Sequence, residues 1–170
     1  LDQQISRVAD AACSRPKLTS AAAVMQSIIP KPKTLAPIPA HALREEVLNF
    51  DKHNLGKAQH MAKLINWTLH EAMAQYTNAV VLGEDVGKKG GVYNVTSQLV
   101  QQFGINRVLN TLLDEQSILG LAIGLAQQGF LPIPEIQFLA YVHNAEDQIR
   151  GEAATLPFFS NGQYQNPMVI

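Results

Sequence analysis

The sequence predicts an α/β fold: a doubly covered, mainly parallel sheet, preceded by a helical tail and a linker. Three observations carry that reading. Short apolar runs recur between residues 79 and 170, stretches of helical length separate them, and four prolines crowd residues 30 to 39 ahead of the whole pattern. Strands separated by helices need crossover connections, and crossovers build parallel sheets with helices on both faces.

Taken in order, residues 1–28 read as a helical tail. Ile5, Val8 and Ala12 recur at helical spacing, Pro16 interrupts the pattern, and Thr19 and Ser20 are placed to cap a short second helix over residues 21–28. Pro30, Pro32, Pro37 and Pro39 each fix their own φ and disfavour helix in the residue before, so residues 29–55 are expected to form an extended, Pro-rich linker. Residues 56–170 are the folded domain. Asn54 is a candidate cap for a helix running to about Gln75, with Met61, Leu64, Ile65, Leu69 and Met73 on one face. Four strands are expected, at residues 79–82, 108–111, 131–138 and 167–170. One helix is expected from Gln116 to about Gln128, ending at Gly129, and another from Asn144 to about Leu156.

Composition removes several classes of function. Thirteen basic residues nearly cancel fourteen acidic ones, so no broad attraction to nucleic acid or anionic membrane is expected. The single cysteine, Cys13, excludes an intramolecular disulfide and any multi-cysteine metal site. The apolar stretch at residues 118–126 is far shorter than the roughly 20 residues of a membrane span, and no basic segment followed by an apolar run opens the chain. A soluble, cytoplasmic chain is the expectation.

In a parallel sheet, ligands bind beyond the carboxyl ends of the strands. There the chain carries Gly83-Glu84-Asp85, Leu113-Asp114-Glu115 and the segment from Gln137 to Tyr141. Glu115 has two readings. A carboxylate at a helix start is stabilised by exposed amides, which is a common structural role. Between Leu113 and the apolar helix of Ile118, Leu119 and Leu121, burial would instead favour a shared proton over a bare charge. Spacing alone leaves both open, the structural one being commoner. The glycines at 87, 90 and 91 lack the Walker spacing and its lysine ending, and no second ligand sits at metal-binding distance from His143, so no metal site is assigned.

Several ordered segments change that balance. Gly83-Glu-Asp-Val-Gly87, Gly90-Gly-Val-Tyr93, Val108 through Gln116, Gly120 through Gly124, and Pro134-Glu-Ile-Gln-Phe-Leu-Ala-Tyr141 followed by Asp147-Gln-Ile149 together resemble the beta subunit of branched-chain 2-oxo acid dehydrogenase. Pyruvate dehydrogenase and transketolase resemble the chain more distantly. The resemblance implies a pyrimidine-binding domain of the thiamine diphosphate type. It implies that Glu115 hydrogen-bonds the ring nitrogen of the cofactor's aminopyrimidine and so activates the cofactor, which decarboxylates a 2-oxo acid and passes the acyl group to lipoyl. By the same resemblance Leu113 and Gln137 contact the pyrimidine, Tyr141 stacks on it, and Glu84 joins a proton network between subunits.

The family's Gly-Asp-Gly and Asn-Asn motif for magnesium and diphosphate is absent from the sequence. The resemblance therefore implies that magnesium and diphosphate are held by a partner, an alpha domain or subunit. Residues 1–28 resemble the end of such an alpha region, as in a fused alpha-beta chain cut at both ends. A homo-oligomer or heterotetramer and a lipoyl acyltransferase are the further implied partners. Two alternatives stand beside this reading: another thiamine enzyme of the transketolase or deoxyxylulose phosphate synthase type, and a non-catalytic assembly module.

Overall fold

Two helices form the described part of the amino-terminal unit. The computed structural model describes residues 1–26 and 40–170, and the chain divides into the units Leu1–Thr34 and Leu35–Ile170. Helix α1 spans Asp2–Cys13 with every residue exposed, and α2 spans Ala21–Met25. Ser20 caps α2 as expected, its hydroxyl accepting from the Ala23 amide at 3.2 Å. The expected remainder of that helix, residues 27–28, and the proline cluster lie outside the described residues.

The second unit departs from the expected linker at once. Residues 40–47 form α3 (Ala40–Val47) and residues 49–54 a 3₁₀ segment, where an extended connector was expected to reach residue 55. Burial explains the difference. Val47 and Leu48 pack against Trp67, and Asp51, only 5% exposed, accepts from the Trp67 indole (2.9 Å), from the Asn54 amide (2.8 Å) and from the Lys63 ammonium. Burial alone would push the Asp51 carboxyl up, but these donors and the Lys63 charge outweigh it and hold the group at about 2. Asn54 is thereby committed to Asp51 and caps nothing. The next helix, α4, begins only at Met61 and runs to Gln75, with the His60 ring accepting from the Lys63 amide at 3.3 Å.

The inward face of α4 also differs from expectation. Met61, Leu64 and Ile65 are exposed, while Asn66, Trp67, His70 and Met73 are buried. Polar groups tolerate burial when they are paired, and here they find main-chain carbonyls. Asn66 donates to the Val95 and Ser97 carbonyls (3.0 and 2.9 Å), and the His70 ring nitrogens lie 2.5 Å from Gln102 Oε1 and 3.2 Å from the Ser97 carbonyl. Burial pushes the His70 imidazole below its usual value.

Among the described residues three strands make the sheet: β1 (Ala79–Gly83), β2 (Val108–Asn110) and β3 (Leu131–Glu135), all parallel, in the order β2-β1-β3. All five residues of central β1 are buried. Ala79 and Val81 join Met73, Val86, Leu99 and Val108 in one cluster. Alternation sends Val80 and Leu82 to the other face, where α6 (Glu115–Gln127) packs on β1 and β3 through Ile118, Leu119, Ala122 and Ala126. A short helix, α5 (Leu99–Phe103), completes the first face. Arg107 ties the layers together: its guanidinium donates to the carbonyls of Met73 (2.9 Å), Tyr76 (2.6 Å) and Ala79 (3.0 Å), closing the end of α4 onto the start of β1.

Two expected elements take other forms. The fourth strand does not pair; residues 167–170 give one bond, from the Val169 amide to the Pro132 carbonyl at 3.2 Å. Because the Leu131 amide points toward β1, donating to Asn78 (2.9 Å), alternation puts Pro132 and Pro134 on the outer edge of β3, which therefore lacks two amide donors. β3 itself stops at Glu135 rather than reaching Phe138. In place of one helix over residues 144–156 there is a 3₁₀ helix, Leu139–Ala145, a π-helical segment, Gln148–Ala153, and α7, Leu156–Phe159.

Candidate functional site

The carboxyl ends of β1, β2 and β3 share one edge of the sheet, as the register Gly83↔Asn110 and Gly83↔Glu135 requires. The segments leaving that edge carry the acids and aromatics expected of a site. From β1 the chain passes Glu84 and enters a tight loop, closed by amide bonds from Gly90 to Gly87 (3.1 Å), Gly91 to Asp85 (3.0 Å) and Thr96 to Gly90 (3.1 Å). Asn110, the last residue of β2, braces this loop by accepting from the Gly87 amide at 2.7 Å. The carbonyls of Val95 and Ser97 are gripped from α4, so the loop is held at both its base and its far side.

After β2, Leu112 and Leu113 are exposed, Leu113 by 70%, and Glu115 opens α6 with only 8% exposure. Its Oε2 accepts from the side-chain amide of Asn144 at 3.2 Å, a partner that no motif or spacing singles out. Asn144 reaches it because the segment after β3 is 3₁₀ in form and packs on α6. In a 3₁₀ helix side chains three apart eclipse, so Phe138, at the cap, Tyr141 and Asn144 line one face. The rings of Phe138 and Tyr141 meet edge to face at 5.3 Å, and Phe138 in turn meets Tyr93 of the glycine loop at 6.1 Å. Tyr141 remains 44% exposed.

The structure joins one pair of the expected residues and ties two others to neighbours not expected. Gln137 donates to the Glu84 carbonyl at 3.4 Å, linking the exits of β3 and β1; Tyr141 belongs to an aromatic row that reaches the glycine loop; Glu115 is buried under Asn144. Gly120 and Gly124 lie on an exposed stretch of α6, where an added Cβ would meet nothing within 4 Å. Glu135 is a feature that sequence reasoning passed over. Burial raises its carboxyl, and its Oε2 and the Thr96 hydroxyl are both buried without a partner beside Gly91. Its place one residue before Ile136 at a strand end was the signal available.

Among the described residues no group of three His, Cys, Asp or Glu side chains is placed to hold a metal ion, and no helix is long and apolar enough to cross a membrane. A family model described as transketolase, pyrimidine binding domain, matches residues 57–156. The chain is 43% identical over 106 residues to the 2-oxoisovalerate dehydrogenase subunit beta of Bacillus subtilis, covering 62% of this chain and 32% of that protein. It is 36% identical over 126 residues to the 3-methyl-2-oxobutanoate dehydrogenase subunit beta of Mycobacterium tuberculosis, with 74% and 36% covered. It is 43% identical over 110 residues to the pyruvate dehydrogenase E1 component subunit beta of Staphylococcus epidermidis, with 65% and 34% covered. The chain spans about a third of the length of these curated relatives.

Proposed function

The chain belongs to the family of transketolase-type pyrimidine-binding domains, and from that membership we propose that it supplies the aminopyrimidine-binding half of a thiamine diphosphate-dependent 2-oxo acid dehydrogenase. The single observation that carries the reading is the burial of Glu115 at the start of α6, directly after β2, bordered by exposed apolar and aromatic side chains. That donor set fits a flat heteroaromatic ring with one basic nitrogen: an acid withdrawn from water meets the nitrogen, and Leu113 and Tyr141 present surface to the ring. When bound, thiamine diphosphate supplies the electron sink for loss of carbon dioxide from a 2-oxo acid.

The roles of this chain's residues follow. Glu115 holds a proton at the ring nitrogen and keeps it out of exchange with bulk water. Tyr141 stacks on one face of the pyrimidine, a contact worth roughly 0.5–1.5 kcal/mol beyond burial. Gln137, already tied to the Glu84 carbonyl, fixes the ring's polar edge, and Glu84 continues the acid network toward a second subunit. Diphosphate and magnesium are held by an alpha domain or subunit, and the acyl product passes to the lipoyl group of an acyltransferase. A branched-chain 2-oxo acid is the preferred substrate, a choice supported by the names of the Bacillus subtilis and Mycobacterium tuberculosis relatives.

The test is Glu115→Gln in the complete protein with its diphosphate-binding partner, thiamine diphosphate and magnesium. Gln keeps the size and loses the exchangeable acid, so decarboxylation of a branched 2-oxo acid should fall about 10²–10⁴-fold. An unchanged rate would remove Glu115 from the chemistry and leave the assembly-module reading in its place.

A further inference from the structure

The hydrogen bond between Asn144 and Glu115 has no counterpart in the roles assigned so far, and its geometry is asymmetric. The amide Nδ2 lies 3.2 Å from Oε2. Asn144 is exposed and Glu115 is buried, so the bond joins a side chain at the surface to a carboxyl withdrawn from it. Among the described residues Asn144 is the side chain that hydrogen-bonds Glu115. The charged and titratable groups on the elements packed against α6, namely Glu135, Tyr141, His143, Arg150 and Glu152, make no ion pair with Glu115, and Arg150 turns instead to Glu146 at 3.8 Å.

We propose that Asn144 is a positioning residue for Glu115, fixing its carboxyl so that Oε1 alone is presented to the pyrimidine ring nitrogen. This rests on the cofactor reading above. An N–H aimed at Oε2 makes that oxygen an acceptor, and a proton placed there would face a second donor. The proton that Glu115 shares with the ring is therefore confined to Oε1. The same 3₁₀ repeat that brings Asn144 over Glu115 puts Tyr141 one step earlier on the same face, so ring stacking and proton placement are set by one rigid segment. A continuous α-helix would rotate Asn144 away from Tyr141 by the difference between three and 3.6 residues per turn.

The experiment uses the complete protein and the free ring 4-amino-2-methylpyrimidine as the probe, with binding measured by calorimetry and the Glu115 carboxyl followed by ¹³C NMR. Asn144→Leu keeps the bulk and removes the donor; it should weaken probe binding about tenfold and shift the Glu115 carboxyl resonance from its position in the parent, with the melting temperature retained. Asn144→Gln, which restores an amide on a longer arm, should recover most of the affinity. If Asn144→Leu binds the probe like the parent while Glu115→Gln weakens binding, the positioning role is overturned and the cofactor reading stands. If Glu115→Gln leaves probe binding unchanged, the cofactor reading is overturned and the proposal with it.

Discussion

Replacing Gly90 by alanine, with Gly56→Ala beside it, separates backbone strain from crowding in the loop that carries Tyr93. Both glycines have φ of +82°, so both variants meet a left-handed penalty, about 1–2 kcal/mol, offset in part by about 0.4–1 kcal/mol of entropy lost from the unfolded chain. What differs is space. A Cβ at Gly56 meets nothing within 4 Å, whereas at Gly90 it would lie 2.9 Å from Ser97 Cα and 3.2 Å from Ser97 N. Those are backbone atoms held in place: the Ser97 carbonyl takes the Asn66 amide and the Ser97 amide donates to Asn94 at 3.2 Å. Forcing an extra methyl into a closed site costs about 1–3 kcal/mol, so Gly90→Ala should be less stable than Gly56→Ala by about 2 kcal/mol. Urea unfolding reports it through the fluorescence of the chain's single tryptophan, the buried Trp67. With a slope of about 1–3 kcal/mol/M, the Gly90→Ala midpoint should fall about 1 M below that of Gly56→Ala, at equal slope. Coincident midpoints would refute the close approach of Gly90 to Ser97 and, with it, the fixed placement of Tyr93.

Asp51→Ala should cost about 3 kcal/mol in the same assay, because it strands the buried Trp67 N–H and the half-buried Lys63 together. Asp51 is depressed to about 2, so its contribution is complete above its ordinary value of 3.8 and is lost as pH falls through 2; unfolding followed from pH 5 to 2 should show a loss that Asp51→Asn lacks. Glu135 is raised, so the sign reverses: its burial is harmless below 4.5 and becomes destabilising as pH rises through its folded value. Glu135→Gln should therefore be the more stable protein at pH 7, with the gap to the parent closing in acid. Arg107→Met should lower stability by about 2–3 kcal/mol, since three bonds to carbonyls at the α4–β1 junction are lost and, of those carbonyls, Tyr76 keeps a second donor in the Ala79 amide; a melting temperature equal to the parent's would contradict that role.

Much of the sheet and of the site edge was legible in the residues, for identifiable reasons. The runs at 79–83 and 108–110 are apolar and end in glycine or polar residues, and α6 begins and ends within one residue of the expected span because an acidic start and Gly129 mark its limits. Tertiary partners decided the rest. Asn54 has the chemistry of a helix cap, yet Asp51 takes its amide three residues away. Met61, Leu64 and Ile65 have helical spacing, but the carbonyls of Val95 and Ser97 draw Asn66 and His70 inward instead, and no local pattern encodes that. The fourth strand failed on a donor count across to β3, whose prolines were visible but whose outward facing was not. Asn144 was read as a helix start, and only the 3₁₀ winding of residues 139–145 reveals it as the neighbour of Glu115.

That winding sets the grammar of the site. Along Phe138, Tyr141 and Asn144 the chain counts in threes, and the looser π turn at residues 148–153 follows before α7. A single inserted residue between Tyr141 and Asn144 would carry the amide roughly 120° around the segment, away from the Glu115 carboxyl. Length here is as selective as identity: a homologue with every named side chain but one extra residue in this interval would stack its ring and leave its acid unheld.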